Sequence, residues 1–335
     1  MAADRPLIWF ERPVLPALAP TVAASCTVLG PGTAEDPYAG IDDAVAAVVG
    51  SAPFDGPAMD RAHDLRVIAR TGIGYDSVDV PAATARGIAV TNTPDGPTVS
   101  TAEHAVMLML MAAKHVQPSV TALMTGTADG YYARHEGIEL AGKILGLVGL
   151  GRIARRVATI AEAIGMRVVA FDPYIDRAAA PAGVQLAATL DELLPLADVV
   201  SVHIPLTDAS RGLFDARRFS EMKRGAVFVN TARGAIVDQA ALIAALDAGQ
   251  LFAAGLDVTD PEPLPAGHPV LTHPDIVTTP HIASATADGK LRSLESAFEQ
   301  AMAVVHSERP AHLVNPEVWD RVVGVVASAA PGDSR

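Results

Sequence analysis

From residue 143 onward the sequence alternates short runs of β-branched and apolar residues with segments whose apolar residues recur at helical spacing. This alternation is typical of repeated βαβ units, which build a parallel sheet covered by helices. The predicted strands are residues 144–149, 167–171, 199–204, 226–231, 253–258 and 276–279. Six parallel strands make a complete doubly wound sheet, so we predict one here.

The first hundred residues have a similar pattern on a smaller scale, with apolar runs at 7–10, 45–49, 66–69 and 88–91. A long helix is predicted to start at Ser100, because its hydroxyl and Glu103 have capping-box spacing. A further segment of helical periodicity, residues 289–309, follows the last strand. If this helix packs back on the first unit, the smaller domain is discontinuous.

We therefore predict an α/β fold of two Rossmann-like doubly wound domains joined by a hinge. The smaller domain would consist of residues 1–98 and 286–335, and the larger domain of residues 99–285.

The charge balance and the cysteine content limit the possible partners. The net charge is -13 and the pI about 5.1, which disfavours binding to nucleic acid or to an anionic membrane surface.

Cys26 is the only cysteine, so an intrachain disulfide is excluded and a reducing compartment fits. The N-terminal apolar run is too short for a signal peptide, and residues 105–113 are too few to span a bilayer. We predict a soluble cytoplasmic protein.

A glycine loop follows the first strand of the larger domain. The segment GLGRIA places Gly149, Gly151 and Ala154 where a strand turns into a helix. The first glycine permits a tight turn, the second lets the backbone approach a pyrophosphate, and the small third residue lets helix and strand pack closely.

Asp172 ends the second strand, where a carboxylate accepts hydrogen bonds from the ribose of NAD and repels the extra phosphate of NADP. The predicted cofactor is NAD; the alternative is a plain glycine turn with a surface aspartate.

Three polar residues lie just beyond predicted strands of the larger domain. Arg233, Glu262 and His281 follow the fourth, fifth and sixth strands. Since the carboxyl ends of parallel strands meet at one edge of the sheet, we expect all three residues in the same crevice as the glycine loop.

These three residue types suit hydride chemistry on a 2-oxo acid. Arg233 can hold a carboxylate by two parallel hydrogen bonds and polarise the adjacent carbonyl. His281 can give a proton to the carbonyl oxygen and take it back in the reverse direction, while Glu262 fixes the orientation of the imidazole. Taken singly, each residue also fits a structural role in a loop or turn. A metal site at His281 and Glu262 is poorly supported, because no third ligand lies at compact spacing.

A second glycine pair lies in the smaller domain, in the segment RTGIGYD. The backbone amides of Ile73 and Gly74 can form an anion-binding nest for the carboxylate of a substrate. A plain turn is an equally simple interpretation.

Together these motifs resemble the D-isomer-specific 2-hydroxyacid dehydrogenases, from about residue 44 to residue 319. The resemblance is carried by TGIGYDSVDV, RGIAVTNTPDGPTVSTAEHA, GLGRIA, VNTARGAIVD, LDVTDPEPL and TPHIAS. It implies that Arg233, Glu262 and His281 form the catalytic triad. It also implies a homodimer built mainly through the cofactor domain, and NAD contacts at Thr101, Arg152, Ile153, Asp172, Ile204, Thr231 and Asp257.

The sequence departs from the family pattern at several positions. Thr259 stands where the family commonly has an aromatic residue, and GTADGYY replaces an element resembling GKW. Gly50 precedes Ser51, where relatives that oxidise phosphoglycerate often carry an arginine. This last departure argues against a phosphorylated substrate.

The resemblance therefore predicts an NAD-dependent oxidoreductase that interconverts a small D-2-hydroxy acid and its 2-oxo acid, such as glycerate and hydroxypyruvate. D-3-phosphoglycerate dehydrogenase is the alternative substrate assignment. From another functional class, an NADH-sensing protein like the related corepressors is disfavoured by the acidic chain and the intact triad. A formate-oxidising relative is disfavoured because Glu262 stands where that chemistry uses glutamine.

Overall fold

The computed structural model describes residues 5–329. The chain divides into two compact units. The smaller unit contains the chain up to Pro97 and again from Ala287, and the larger unit is Thr98–Thr286. Both are parallel sheets flanked by helices, so the predicted α/β class is confirmed. No helix in the described part of the chain is long and apolar enough to cross a membrane.

The larger unit contains a seven-stranded parallel sheet in the order β12-β11-β10-β9-β6-β7-β8. Its strands are β6 (Ile144–Val148), β7 (Arg167–Phe171), β8 (Val184–Leu186), β9 (Val199–Val202), β10 (Ala226–Asn230), β11 (Leu251–Leu256) and β12 (Ile276–Thr278). The chain leaves β6 on one side through β7 and β8, then returns to β6 on the other side with β9. The point where the strand order reverses therefore lies between β6 and β9, which is where open sheets of this kind bind ligands.

Both faces of this sheet are covered by helices. The helices are α4 (Thr98–Ala113), α5 (Val116–Met124), α6 (Tyr131–Arg134), α7 (Arg152–Ala163), α8 (Leu190–Leu193), α9 (Ala216–Glu221), α10 (Gln239–Asp247) and α11 (Pro269–Thr272). Alternate residues of β10 belong to different apolar cores, Val227 and Val229 to one and Phe228 to the other. Because successive side chains of a strand point to opposite faces, the sheet is buried on both sides, as its continuous apolar strands require.

The smaller unit contains a five-stranded parallel sheet in the order β2-β1-β3-β4-β5. Its strands are β1 (Leu7–Phe10), β2 (Thr27–Leu29), β3 (Ala46–Val49), β4 (Val67–Arg70) and β5 (Ala89–Thr91). Its helices are α1 (Ala19–Ser25), α2 (Gly56–Arg61), α3 (Val80–Arg86), α12 (Ala287–Val305) and α13 (Trp319–Ala329). Phe298 and Val304 of α12 share an apolar core with Ile8 and Val67, so the last long helix completes this unit.

Three details differ from the sequence prediction. Strands β2 and β8 were not predicted; both have only three residues and lie at sheet edges. Helix α4 starts at Thr98 instead of Ser100. The capping-box interpretation of Ser100 is wrong, because its hydroxyl lies 2.7 Å from the hydroxyl of Thr286 and the helix has already begun.

Candidate active site

The glycine loop connects β6 to α7 at the reversal point of the larger sheet. Gly149 has φ of +92°, and a Cβ there would lie 2.6 Å from the carbonyl oxygen of His203 and 2.9 Å from Cγ2 of Ile204. Only glycine fits this position. Gly151 is the N-cap of α7, and among the described residues no heavy atom lies within 4 Å of a Cβ added to it. Ala154 is fully buried, which permits close packing of helix on sheet.

The carboxylate of Asp172 is fixed beside this loop. One of its oxygens accepts the backbone N–H of Leu150 at 2.9 Å, and the other accepts that of Tyr174 at 3.0 Å. Asp172 follows β7, which is the neighbour of β6. An acidic group is thus held next to the start of α7, at the place where an adenosine ribose lies when its pyrophosphate caps the helix.

The rest of the loop region also fits a dinucleotide. The N-terminus of α7 lies at this loop, and the backbone N–H groups in the first turn of a helix are the groups that bind a phosphate in folds of this kind. Thr231, just after β10, is 9% exposed, and its Oγ1 has no hydrogen-bond partner within the described chain. Such an orphaned hydroxyl is expected where a bound group supplies the partner. The other residues implied by the resemblance lie in the same unit: Thr101 in the first turns of α4, Arg152 and Ile153 at the start of α7, and Ile204 after β9.

Arg233 follows β10 and begins a 3₁₀ turn over Gly234–Ile236. Its carbonyl oxygen accepts the side-chain amide of Asn230 at 2.9 Å, and its Nη1 donates to the carbonyl of Ala232 at 2.6 Å. A Cβ on Gly234 would collide with the backbone of Thr259. The loop that carries Arg233 is therefore packed directly on the segment that leads from β11 to Glu262.

Glu262 and His281 are in direct contact. Oε1 of Glu262 is hydrogen-bonded to Nδ1 of His281, and the two side chains are 38% and 43% exposed. Strands β10, β11 and β12, which precede Arg233, Glu262 and His281, end at the same level of the sheet. Their last residues are paired: Asn230 pairs with Leu256, and Leu256 pairs with Thr278. With Nδ1 directed at the carboxylate, Nε2 is the ring nitrogen left to face a substrate.

The backbone of His281 adopts the left-handed region, with φ of +51°. Its N–H donates to the carbonyl oxygen of Asp257 at 2.8 Å. Histidine is among the residues that enter this region more often than most, although at some cost in free energy. An uncommon backbone conformation therefore orients the ring, and the hydrogen bond that His281 donates to the carbonyl oxygen of Asp257 stabilises this conformation.

Asp257 is the buried centre of this loop, with 1% of its surface exposed. Its carboxylate accepts hydrogen bonds from the hydroxyl of Thr279 at 2.6 Å and from the amides of Ile282 at 2.9 Å and Ala283 at 2.8 Å. Nε2 of His104, on α4, lies 2.9 Å from the Thr279 hydroxyl and 3.3 Å from the carboxylate. The chain on both sides of His281 is thereby tied to one carboxylate.

Sequence reasoning did not assign a role to Thr279 or His104. Thr279 lies in TPHIAS and His104 in TAEHA, but the two positions are far apart in the chain and no spacing links them. The one available signal was the presence of both residues in segments that carry the family resemblance.

The pKa of Asp257 is lowered from its ordinary value. Burial acts to raise it, but the hydrogen bonds from His104, Thr279 and the amides of Ile282 and Ala283 outweigh burial and favour the carboxylate. Because the folded-state pKa is below the unfolded one, this group contributes stability above about pH 4, and that contribution is lost as the pH falls through the folded-state pKa.

We expect Asp257→Asn to destabilise the protein by roughly 1–3 kcal/mol at pH 7, since buried amide donors lose an ionised acceptor. The difference from wild type should shrink at pH 3, because the unfolded chain then takes up a proton at this carboxyl that the folded protein resists. Urea unfolding at both pH values measures this, with Asp208→Asn, an exposed aspartate of the same unit, as the matched control. An equal loss at both pH values would contradict the assigned role of the charge.

Ile73 and Gly74 lie in the smaller unit, in the loop after β4. The carbonyl oxygen of Ile73 accepts the side-chain amide of Asn92 at 2.8 Å, which holds the loop. Neither backbone N–H of the pair donates to an acceptor within the described chain. The two amides are thus available to an anion, as a nest requires.

The family model described as "D-isomer specific 2-hydroxyacid dehydrogenase, NAD binding domain" matches residues 106–283. The chain belongs to this family. The matched residues lie within the larger unit, so NAD is the cofactor of the unit that contains the glycine loop. The groups described above are consistent with this: the N-terminus of α7 after the glycine loop, a fixed carboxylate at Asp172 and an orphaned hydroxyl at Thr231.

Individual relatives carry two different activity names. A glyoxylate reductase of Aeropyrum pernix is 40% identical over 265 residues, which cover 78% of this chain and 79% of the relative. A D-3-phosphoglycerate dehydrogenase of Methanocaldococcus jannaschii is 39% identical over 258 residues, which cover 77% of this chain. The chain spans about half the length of such phosphoglycerate dehydrogenases, 49% in this case.

Solved structures show the same two-domain fold. The crystal structure of a glyoxylate reductase from Paecilomyes thermophila has a TM-score of 0.83 at 28% identity, covering 93% of this chain and 99% of that one. A Thermus thermophilus protein, TT0316, has a TM-score of 0.80 at 39% identity, covering 92% of this chain and 99% of the neighbour. The predicted pair of Rossmann-like domains is therefore confirmed at the level of the fold.

Proposed function

We propose that this protein is an NAD-dependent oxidoreductase that interconverts a small D-2-hydroxy acid and its 2-oxo acid by hydride transfer. The observation that carries the proposal is the contact between Glu262 and His281 at the edge of the sheet where Arg233 also lies. The residue types at this edge match the three requirements of the reaction: a carboxylate anchor, a proton donor and a group that orients the donor.

Arg233 is assigned to the substrate. Its guanidinium can accept the carboxylate of the 2-oxo acid in a bidentate geometry, which orients the neighbouring carbonyl. Holding the reacting groups in one orientation is itself a large part of the rate enhancement of such enzymes.

His281 is assigned as the acid and base. In reduction, its Nε2–H donates a proton to the carbonyl oxygen as the carbon accepts hydride, and in oxidation the same nitrogen takes the proton back. Glu262 accepts the hydrogen bond from Nδ1, keeps the ring in place, and stabilises the positive charge while both nitrogens carry protons.

The cofactor supplies the hydride in reduction and accepts it in oxidation. In the proposed arrangement the amides at the start of α7 bind the pyrophosphate, and Asp172 accepts hydrogen bonds from the ribose hydroxyls. Thr101, Ile204, Thr231 and Asp257 complete the assigned cofactor contacts, with Arg152 and Ile153 at the helix start.

The smaller unit is proposed to bind the substrate and the larger to bind NAD, with a hinge near residues 98 and 285. The open amides of Ile73 and Gly74 support this division, because they offer a second grip on the substrate carboxylate. Closure of two units on a ligand excludes water from the reacting groups.

The direct test is oxidation of NADH, followed at 340 nm, with hydroxypyruvate, glyoxylate, pyruvate, bulkier 2-oxo acids and phosphohydroxypyruvate. The proposal predicts turnover of at least one small 2-oxo acid, and D configuration for every chiral product. Binding of NADH without turnover of any acid would instead favour the NADH-sensing, corepressor-like alternative.

D-3-phosphoglycerate dehydrogenase is the second candidate function, favoured by the activity names of several relatives. The same assay separates the two, because this candidate predicts that phosphohydroxypyruvate is the preferred acid. Gly50 in place of an arginine before Ser51 argues against it.

We further propose a cytoplasmic homodimer that associates through the larger unit. The supporting feature is an open and mainly apolar groove of this unit, lined by Glu103, Val106, Met107, Leu110, Met111, Lys114, Val116 and Ile160. Met107 and Leu110 are each 37% exposed, which suits a surface covered by a second copy. The mass of the protein in solution, measured by light scattering, tests the proposed dimer.

Asp172→Ala is expected to weaken NADH binding more than NADPH binding. The substitution removes the acceptor for the ribose hydroxyls and also the charge that repels the 2′-phosphate. The ratio of the dissociation constant for NADPH to that for NADH should therefore fall by about 10-fold or more. Titration of each cofactor by protein fluorescence gives the ratio, with the exposed Asp176→Ala as control. An unchanged ratio would remove Asp172 from the cofactor site.

A further inference from the structure

The smaller sheet has its own reversal point, between β1 and β3. The chain leaves β1 on one side to form β2, and continues from β3 on the other side to β4 and β5. Phe10, the last residue of β1, pairs with Val48 of β3. In an open parallel sheet the crevice beyond these strand ends is the expected ligand position.

A carboxylate of the protein itself occupies this crevice. Glu11 follows β1, and its backbone N–H donates to the carbonyl of Val48 at 3.0 Å. Its side chain accepts the backbone N–H of Gly50 and, at 3.3 Å, that of Ala52. With its side chain 14% exposed, Glu11 fills an amide pair that could otherwise bind an external anion.

Glu11 also explains why residue 50 is glycine. A Cβ at Gly50 would lie 2.7 Å from Oε1 of Glu11 and 3.2 Å from its Cδ. Any side chain at this position, an arginine included, would displace the carboxylate. The carboxylate of Glu11 can therefore keep this position only while residue 50 is glycine.

Arg12 is the cation next to this carboxylate. Its Nη2 donates to the hydroxyl of Ser51 at 3.1 Å, and its Nε lies 3.8 Å from Oε1 of Glu11. Its side chain is 70% exposed, so solvent screens its charge far more than that of Glu11. The buried part of the crevice is therefore negative.

The loop of Ile73 and Gly74 starts one strand away from this crevice. Val49 of β3 pairs with Arg70 of β4, and the N–H of Thr71 donates to the carbonyl of Val49 at 2.9 Å. Neighbouring strands lie about 4.8 Å apart. The amides of Ile73 and Gly74 and the carboxylate of Glu11 thus lie at the same edge of one sheet, so an acid held by these amides has Glu11 on one side of it.

We infer that Glu11 is a specificity-determining residue that restricts the substrate to 2-oxo acids with an uncharged or absent group beyond the carbonyl. The inference rests on the proposed function and names its substrate class. A phosphate or second carboxylate would meet a negative charge and amides that already have an acceptor. A hydroxyl can instead donate to the carboxylate, whose oxygens each accept more than one hydrogen bond.

The test compares kcat/KM for hydroxypyruvate, phosphohydroxypyruvate and glyoxylate in the full-length protein. Glu11→Gln removes the charge, and Glu11→Ala also vacates the two amides. We expect the preference for phosphohydroxypyruvate over hydroxypyruvate to rise by roughly 10-fold in Glu11→Gln and further in Glu11→Ala. Glyoxylate, which has no group beyond its carbonyl carbon, serves as the reference substrate for each variant.

Glu35→Gln is the matched control, because it removes the same charge from an exposed position of the same unit and should leave the ratio at the wild-type value. Arg12→Gln tests the opposite assignment. If it lowers phosphohydroxypyruvate turnover selectively, Arg12 holds the phosphate and the inference is overturned.

An unmoved ratio in both Glu11 variants, with glyoxylate still reduced, also overturns the inference while leaving the proposed function intact. If the wild-type protein reduces none of the 2-oxo acids in the wider panel, the proposed function is wrong and the inference falls with it.

Discussion

Substitution of His281 by Asn is expected to lower kcat for 2-oxo acid reduction by about 10²- to 10⁴-fold while leaving NADH affinity nearly unchanged. Asparagine has no group that can donate and recover a proton near neutral pH. It also tolerates the left-handed backbone that His281 adopts, with φ of +51°, better than alanine does. The loop tied to Asp257 should therefore keep its conformation, and the loss should be chemical.

The measurement is steady-state kinetics together with NADH titration. His281→Ala, studied in parallel, should lose a similar factor in kcat and be less stable, because a non-glycine residue with positive φ then lacks its ring contacts. His63→Ala, an exposed histidine of the smaller unit, is the control. If NADH affinity falls as much as kcat, His281 has a structural role and not a catalytic one.

Substitution of Arg233 by Ala is expected to lower kcat/KM by about 10²- to 10⁴-fold. The substitution removes two charge-assisted hydrogen bonds to the substrate carboxylate, and each such bond contributes about 1.5–3 kcal/mol. Much of the loss should appear as a raised KM, since the grip exists in the ground state as well as in the transition state. NADH affinity should change little.

Arg233→Lys separates charge from geometry. Lysine keeps the positive charge but cannot form two parallel hydrogen bonds. Compared with Arg233→Ala, the lysine variant should have a KM partly restored toward the wild-type value and a kcat that is little improved. Thermal unfolding monitors the loop, because the Arg233 side chain also donates to the carbonyl of Ala232. Full recovery by lysine would show that a point charge is enough and that the bidentate grip is not used.

Most of the larger sheet could be predicted from sequence because its strands are buried on both faces. Val199–Val202 and Ala226–Asn230 are fully buried, and continuous apolar runs of this length between helix-period segments are distinctive. The edge strands were missed for the opposite reason. Thr27–Leu29 and Val184–Leu186 are short and partly exposed, so they have too few residues to show a period.

The positions of the site residues could be predicted only in part. Placement of Arg233, Glu262 and His281 after neighbouring strands follows from the rule for parallel sheets. The hydrogen bonds that hold the His281 loop could not be predicted, because they come from distant segments: the carbonyl oxygen of Asp257 accepts the N–H of His281, and His104 contacts the hydroxyl of Thr279. Glu11 was missed as well, since nothing in the sequence links the end of β1 to the amides of Gly50 and Ala52.

The central claim is that Glu262 and His281 act on the substrate as one unit, and a double-mutant cycle tests it most directly. The measurement is kcat for Glu262→Gln, His281→Asn and the double variant with the same 2-oxo acid. If Glu262 acts only through the imidazole, the double variant should be no slower than His281→Asn alone. Losses that multiply would show that the two residues act independently and would contradict the proposed pair.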